Sequence, residues 1–413
     1  MVSWEYPPVV VGGLGRHVHA LARELAAAGH DVVVLSRHPT GTDAGTHPTG
    51  LDEAGDVRVL RAAEDPLHLE FARDMVAWTL ATGHAMVRAA LTRLGSWRPD
   101  VVHAHDWLVA HPAIALADVL GVPLVATIHA TEAGRWSGWL TSRTSRQVHS
   151  AEWWLARRAD RVITCSAAMR AEVAELFDLD PGPVAVLHNG IAPGRWRVPR
   201  ARVAAARERW APGGAPLLAY FGRLEHEKGV QDLLAALPRV RRAHPGARLV
   251  VAGTGTAADL LVAAARRHRV LRSVRFAGHL PDEELAALLA AADAVVLPSL
   301  YEPFGIVALE AAAAGAPLVA STAGGLGEVV RDGETGLSFA PGDVAGLAAA
   351  VGAVLDDPGA AARRAAAARA GLARDFDWAR IAADTAEVYA TAPAGGPVEV
   401  ARPKIPTGNA FDR

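Results

Sequence analysis

Cysteine occurs once in these 413 residues, at Cys165. No internal disulfide can form, so a reducing, cytoplasmic setting is the expectation. Long apolar runs are also missing. Glycines and charges interrupt each one before the roughly 18 residues that a membrane-crossing helix needs, and no signal peptide is visible. Neither sign of charge dominates: a formal net charge of −2 gives no field for gathering nucleic acid or anionic membrane. Half the residues are apolar and 21% are charged, which fits a globular enzyme and not a disordered chain. The length suits two domains better than one.

The most informative scarcity is lysine. Lys228 is the only lysine in the first 403 residues, in a chain where arginine supplies nearly all positive charge. The alanine and arginine excess points to a GC-rich bacterial coding bias, and a lysine that survives such a bias needs a reason. It ends the stretch Phe221-Gly222-Arg223-Leu224-Glu225-His226-Glu227-Lys228-Gly229, which follows the apolar run 216–220. Strand, glycine turn, Arg, then Lys-Gly at a helix start is a place to hold phosphate. A compact ammonium and a forked guanidinium five residues apart can neutralise two neighbouring phosphates.

A second cluster lies about 70 residues on. The buried-strand pattern 294–297 leads into Tyr301-Glu302-Pro303-Phe304-Gly305-Ile306-Val307-Ala308-Leu309-Glu310. Pro303 suits the first position of a helix, which would put Glu302 at its mouth and Glu310 two turns inside. Eight residues at about 1.5 Å rise span ~12 Å, close to the reach from a sugar across a diphosphate to a ribose. The N–H groups of Gly305, Ile306 and Val307 would face the diphosphate.

Short apolar runs at 31–35, 57–60, 101–102, 123–127 and 161–165 alternate with helical stretches. A second series runs through 217–220, 247–252, 274–276, 294–297 and 317–320. Such alternation predicts α/β domains with parallel sheets covered on both faces. The expected division is 1–192, 193–377 and a final helix over 378–392 that returns to the first domain. The Pro/Gly/Arg-rich stretch 189–216 is read as the hinge, and 393–413 as a disordered tail. The first strand has only Met1-Val2-Ser3 ahead of Trp4, so it is either short or incomplete at its start.

Glu302 and Glu310 form the Glu-x7-Glu pattern of retaining GT-B glycosyltransferases, with the Arg223…Lys228 turn as its usual companion. Gly12-Gly13-Leu14-Gly15, His188-Asn189-Gly190-Ile191 and Gly324-Gly325-Leu326-Gly327-Glu328 are further marks. Over residues 1 to about 392 the chain resembles glycosyltransferase family 4. Three segments narrow the likeness to actinobacterial α-1,4-glucosyltransferases that extend glycogen or the glucan of methylglucose lipopolysaccharide: 2–8, His103-Ala104-His105-Asp106-Trp107 and Thr127 to Arg135. The resemblance implies two Rossmann-like doubly wound domains facing a cleft, with the ligand at the carboxyl ends of their strands.

It also implies roles. Arg223 and Lys228 stabilise the leaving diphosphate by charge, with no metal and no cofactor. Glu302 holds sugar hydroxyls and is not taken as a nucleophile, since a front-face mechanism is expected. Glu310 binds the ribose, and His129 contacts the donor sugar. Gly12 and Gly13 admit close backbone approach, and Gly253, Leu280, Phe304, Gly305 and Ile306 complete the donor site. Asp106, Trp107 and Trp136 lie beside the acceptor, where indole faces stack on glucose. Relatives that make glycogen usually carry Lys two positions before the glycine pair, where this chain has Val10, so adenine against uracil in the donor stays open. Free glycogen against a methylated glucan stays open as well.

Other readings are weaker. Gly253-Thr254-Gly255-Thr256-Ala257-Ala258 imitates a dinucleotide-binding turn, but 266–274 lacks the acidic residue that a ribose would need. His103 and His105 share a strand face, yet no third His or Cys stands at a recognisable ligand spacing, so no metal is expected. A non-catalytic glycan binder would have no use for Arg223, Lys228, Glu302 and Glu310 together. The remaining alternative is hexosyl transfer to a lipid or small molecule. A basic, apolar docking helix would favour it, and 143–158 is equivocal on that point.

Overall fold

The computed structural model describes residues 1–393 except 11, 54, 64, 65 and 67; the tail expected over 393–413 lies, past Pro393, outside them. The chain divides into two compact units: Met1–Asn189 with the segment from Trp378 onward, and Gly190–Asp377.

The first unit holds β1 (Val2–Ser3), β2 (Val32–Arg37), β3 (Gly50–Asp52), β4 (Val57–Ala62), β5 (Val102–His105), β6 (Leu124–Ile128), β7 (Arg161–Thr164) and β8 (Ala185–Val186). They form one sheet in the order β3-β4-β2-β1-β5-β6-β7-β8, parallel except where β3 runs antiparallel to β4. Every residue of β2, β5 and β6 is buried, as strands covered on both faces must be. The helix Trp378–Ala390 belongs to this unit because its apolar side, Trp378, Ala382, Ala386 and Tyr389, packs with Val18, Leu21 and Leu25 of the helix Gly13–Ala27.

The second unit has a six-stranded parallel sheet: β9 (Leu217–Phe221), β10 (Arg248–Ala252), β11 (Val274–Gly278), β12 (Ala294–Leu297), β13 (Leu318–Ser321) and β14 (Leu337–Phe339), in the order β11-β10-β9-β12-β13-β14. The apolar runs read from sequence are all strands. Three strands escaped that reading: β3, β8 and β14 have two or three residues each, too few for a pattern. The stretch expected to be a hinge is structured over much of its length. Its helix Arg200–Trp210 lies beside the helix Asp282–Ala291, with Arg202 paired to Glu283 and Arg209 to Glu284. These pairs are exposed and contribute little each.

β1 is indeed short. Val2 pairs with Leu35 on one side and Ala104 on the other, so β1 stops before reaching Val32 and Val33. A cavity of ≈ 470 Å³ opens there, lined by Met1, Val32, Val33, Val102, Leu116 and Tyr389 among others. The Met1 ammonium donates to the Val33 carbonyl at 2.7 Å, and burial lowers its pKa to about 5. Three β-branched apolar residues placed ahead of Met1 are therefore expected to lengthen β1, fill the cavity and move the charged amine out. The thermal midpoint should rise by at least about 3 °C; an unchanged or lower midpoint would show that the cavity does not accept a strand.

Candidate active site

In the second unit the candidate residues follow the carboxyl ends of β9, β10, β11 and β12, on turns or, for Ile306 and Glu310, in the helix that comes next. The β9 turn is fixed first. Leu224 N–H donates to Thr254 O at 2.9 Å, Gly253 N–H to Gly278 O at 2.7 Å, and the Tyr220 hydroxyl to Arg223 O at 2.8 Å. Burial drives the Tyr220 phenol pKa up, keeping it a donor. Gly253 has φ +141°, and a Cβ there would stand 1.8 Å from Gly222 O. The glycine of the apparent dinucleotide motif is thus required by the crossing of two turns.

Lys228 ends a short 3-10 turn, His226–Lys228, ahead of the helix Val230–Ala243. Its ammonium donates to Glu302 Oε2 at 2.9 Å, and the Ser299 hydroxyl donates to the same oxygen at 3.2 Å. Both charged side chains are mostly enclosed, 15% and 13% exposed, whereas Arg223 is 46% exposed and reaches Glu227 at 3.3 Å. The β12 turn is tied to the β9 turn through its backbone: Leu300 and Tyr301 N–H groups donate to Glu227 O at 2.8 and 3.2 Å.

The Glu302–Glu310 segment departs from the expected helix. Pro303 is not its first residue. The helix is Ile306–Ala314, and Gly305 stands before it in the left-handed region, φ +102°. Had Pro303 opened a helix, Glu302 O would accept from Ile306; it accepts instead from Gly325 N–H at 2.9 Å. A Cβ on Gly325 would lie 2.5 Å from Phe304 Cα, so the glycine pair after β13 seats the Glu302–Phe304 loop. The ~12 Å helical span expected between the two glutamates does not apply, since Glu302 lies in this loop and only Glu310 in the helix. The first-turn N–H groups at Ile306 and Val307 remain the helix's anion-facing end. Phe304 packs on Phe376, ring centroids 6.1 Å apart, and Leu280 and Glu310 are buried.

In the first unit, Gly12 caps the helix Gly13–Ala27 with extended backbone, φ −152°. Its N–H donates to Glu5 Oε2 at 3.0 Å. Nothing lies within 4 Å of where its Cβ would be, so the fold leaves open space above this residue. Asp106, after β5, has φ +64° and ψ 172°, a conformation that costs a non-glycine residue about 1–3 kcal/mol. It turns the carboxylate to accept His129 N–H at 2.7 Å. Burial raises the Asp106 pKa to about 7 and lowers that of His129 to about 4. Trp107 is half-buried, while Trp136 and Trp139 are exposed.

Sequence reading missed His17 in this unit's polar cluster and weighed His105 only beside His103, without joining it to His129. His17 and His105 are buried beside His129, with ring centroids 4.6 Å from His17 to His129 and 5.5 Å from His105 to His129. They come from three separate elements, and no local spacing announces them. His103 is otherwise engaged: its ring nitrogens meet Tyr389 OH and Thr127 Oγ1, both at 2.7 Å.

Two α/β units with largely parallel sheets, one carrying a Lys/Arg turn beside a helix N-terminus, define a glycosyltransferase type of architecture. The comparisons agree. Residues 11–195 match the profile described as Glycosyltransferase Family 4, and 204–371 match Glycosyl transferases group 1. The chain belongs to glycosyltransferase family 4 and has the GT-B fold. It is 62% identical over 400 residues to a glycogen synthase of Mycobacterium tuberculosis (strain ATCC 25618 / H37Rv), covering 96% of this chain and 95% of that protein. It is 33% identical to a D-inositol 3-phosphate glycosyltransferase of Streptomyces scabiei (strain 87.22), covering 92% and 86%. Among solved structures, a sucrose-phosphate synthase from Thermosynechococcus elongatus superposes with TM-score 0.79 at 25% identity, covering 94% and 97%.

The raised Asp106 pKa has a consequence for stability. Between its unfolded value of 3.8 and its folded value of about 7 the native state holds more protons at this site, so the contribution to stability falls as pH rises. Asp106→Asn keeps an oxygen for His129 N–H and removes the titration. The stability of this variant relative to the parent should increase from pH 4 to 7 and then level off. A difference that is flat across this range would contradict the burial of a titrating Asp106.

Proposed function

We propose that the protein is a retaining α-1,4-glucosyltransferase of glycogen-type synthesis, moving glucose from a nucleotide diphosphate-glucose to the non-reducing end of an α-1,4-glucan. The observation that carries this reading is the Lys228–Glu302 pair beside the open end of the helix Ile306–Ala314, in a chain 62% identical to a glycogen synthase along nearly its whole length. Lys228 has three donors and can keep Glu302 while binding a phosphate oxygen. Arg223, the more exposed of the two cations, meets the other phosphate, and the helix N–H groups share the charge. Glu302 accepts hydrogen bonds from the sugar hydroxyls, and Glu310 serves the ribose.

In the proposed step the bond from glucose C1 to the diphosphate oxygen breaks as the acceptor O4 bonds to C1 on the same face. The acceptor proton goes to the departing phosphate oxygen, so no enzyme nucleophile is required. His129 contacts the donor sugar; Asp106, Trp107 and Trp136 bind the acceptor. The reaction takes place without a metal or cofactor, and the lone buried Cys165 fits a reducing cytoplasm. No single helix among the described residues is long and apolar enough to cross a membrane.

Transfer to a lipid acceptor is less well supported. The helix Arg143–Arg158, the one basic stretch in question, turns Val148, Trp153, Leu155 and Ala156 inward and has no exposed apolar side to lay on a bilayer.

The direct test incubates purified protein with ADP-glucose or UDP-glucose and maltooligosaccharides, with products followed by mass and α-1,4-specific digestion. Growth by single hexoses that the digestion removes supports the reading; donor hydrolysis without growth would move the acceptor elsewhere. Lys228→Ala and Glu302→Ala should each lower turnover at least about 100-fold, and near-normal rates in both would overturn the site. A strong chelator should leave activity undiminished, since charge neutralisation rests on side chains; loss of activity would contradict that.

A further inference from the structure

We propose that His17, His105 and His129 form a zinc-binding site through which the ion inhibits the enzyme. The three side chains come from the helix Gly13–Ala27, the end of β5 and the residue after β6, and one ligand nitrogen of each lies within 4.8 Å of the other two. His105 Nδ1 and His129 Nε2 are 3.2 Å apart. Two nitrogens on a tetrahedral zinc, each about 2.0–2.1 Å from it, stand roughly 3.3–3.4 Å apart, so this pair already has the spacing of ligands. Without the ion a single proton bridges the two nitrogens. With it, both lone pairs point at zinc and each ring carries its proton on the outer nitrogen.

His17 supplies the second, independent sign. Its Nδ1–H donates to Asn189 Oδ1 at 2.6 Å, which leaves Nε2 as a bare lone pair. That atom is buried and has no hydrogen-bond partner among the described residues. An imidazole whose outer N–H is held by an oxygen while the inner nitrogen waits is the arrangement metal-bound histidines have. The donor set is three imidazoles with no carboxylate, which favours zinc over the harder magnesium, calcium or manganese ions. His103 is no ligand, because both its nitrogens are hydrogen-bonded.

The inhibitory half rests on the proposed function: His129 cannot hold zinc and the donor sugar at once. The binding half does not depend on it. Metal-free, full-length protein would be titrated with Zn²⁺ by calorimetry and with Co²⁺ by visible absorption. The expected result is one ion per chain with micromolar or tighter affinity, the intense bands of tetrahedral cobalt, and a raised thermal midpoint with zinc. His17→Ala and His105→Asn, checked for native circular dichroism and an unchanged zinc-free midpoint, should bind at least about tenfold more weakly. If both misfold, His129→Gln serves the same purpose. The half-buried pair His38 and His47, ring centroids 5.3 Å apart, is a competing site nearer the surface, so His47→Ala should bind as the parent does. Absent or millimolar binding, full binding by folded His17→Ala, or loss in His47→Ala would overturn the site. In the transfer assay zinc should inhibit competitively with the donor; stoichiometric binding without inhibition would overturn the inhibitory role.

Discussion

The ion pair between Lys228 and Glu302 is the constraint around which the second unit's site is arranged. It joins the turn after β9 to the turn after β12 at 2.9 Å, with both side chains largely withdrawn from water. An ammonium in that position is held by one carboxylate and still has hydrogens to offer. The carboxylate in that position takes the ammonium on one oxygen and has further lone pairs to accept from hydroxyl groups. Under the proposed function, this single contact would couple phosphate binding by Lys228 to sugar binding by Glu302.

Much of the surrounding backbone exists to hold that contact. The Glu227 carbonyl receives two N–H groups from the residues just before Glu302, and Gly325 N–H takes the Glu302 carbonyl. Gly253 and Gly325 permit approaches that a Cβ would forbid. The first unit uses strain in place of an ion pair. The left-handed backbone of Asp106 brings its carboxylate under His129, and burial then pushes the two pKa values in opposite directions, keeping the imidazole neutral.

What the sequence made legible follows the range of the interactions. Buried parallel strands are nearly unbroken apolar runs, so most of both sheets could be read locally, and the Arg223–Lys228 turn stood out because lysine is otherwise so scarce. The start of the helix before Glu310 was misread because a proline in first position is a sound local rule. The hydrogen bond that defeats it comes from Gly325, far along the chain and beyond the reach of any local pattern. His17, and the link from His105 to His129, were missed for the same reason: a histidine on an amphipathic helix and one inside a strand say nothing of each other until the sheet brings them together. β3, β8 and β14 are too short to have a period at all.

A double-mutant cycle on turnover, using the parent, Lys228→Ala, Glu302→Ala and the pair, tests the central claim most directly. If the two side chains act as one unit, the double variant will lose little more than the worse single one, and their coupling will be large. If the losses multiply as for independent sites, the contact does not join phosphate to sugar, and Lys228 and Glu302 are two separate groups that happen to touch.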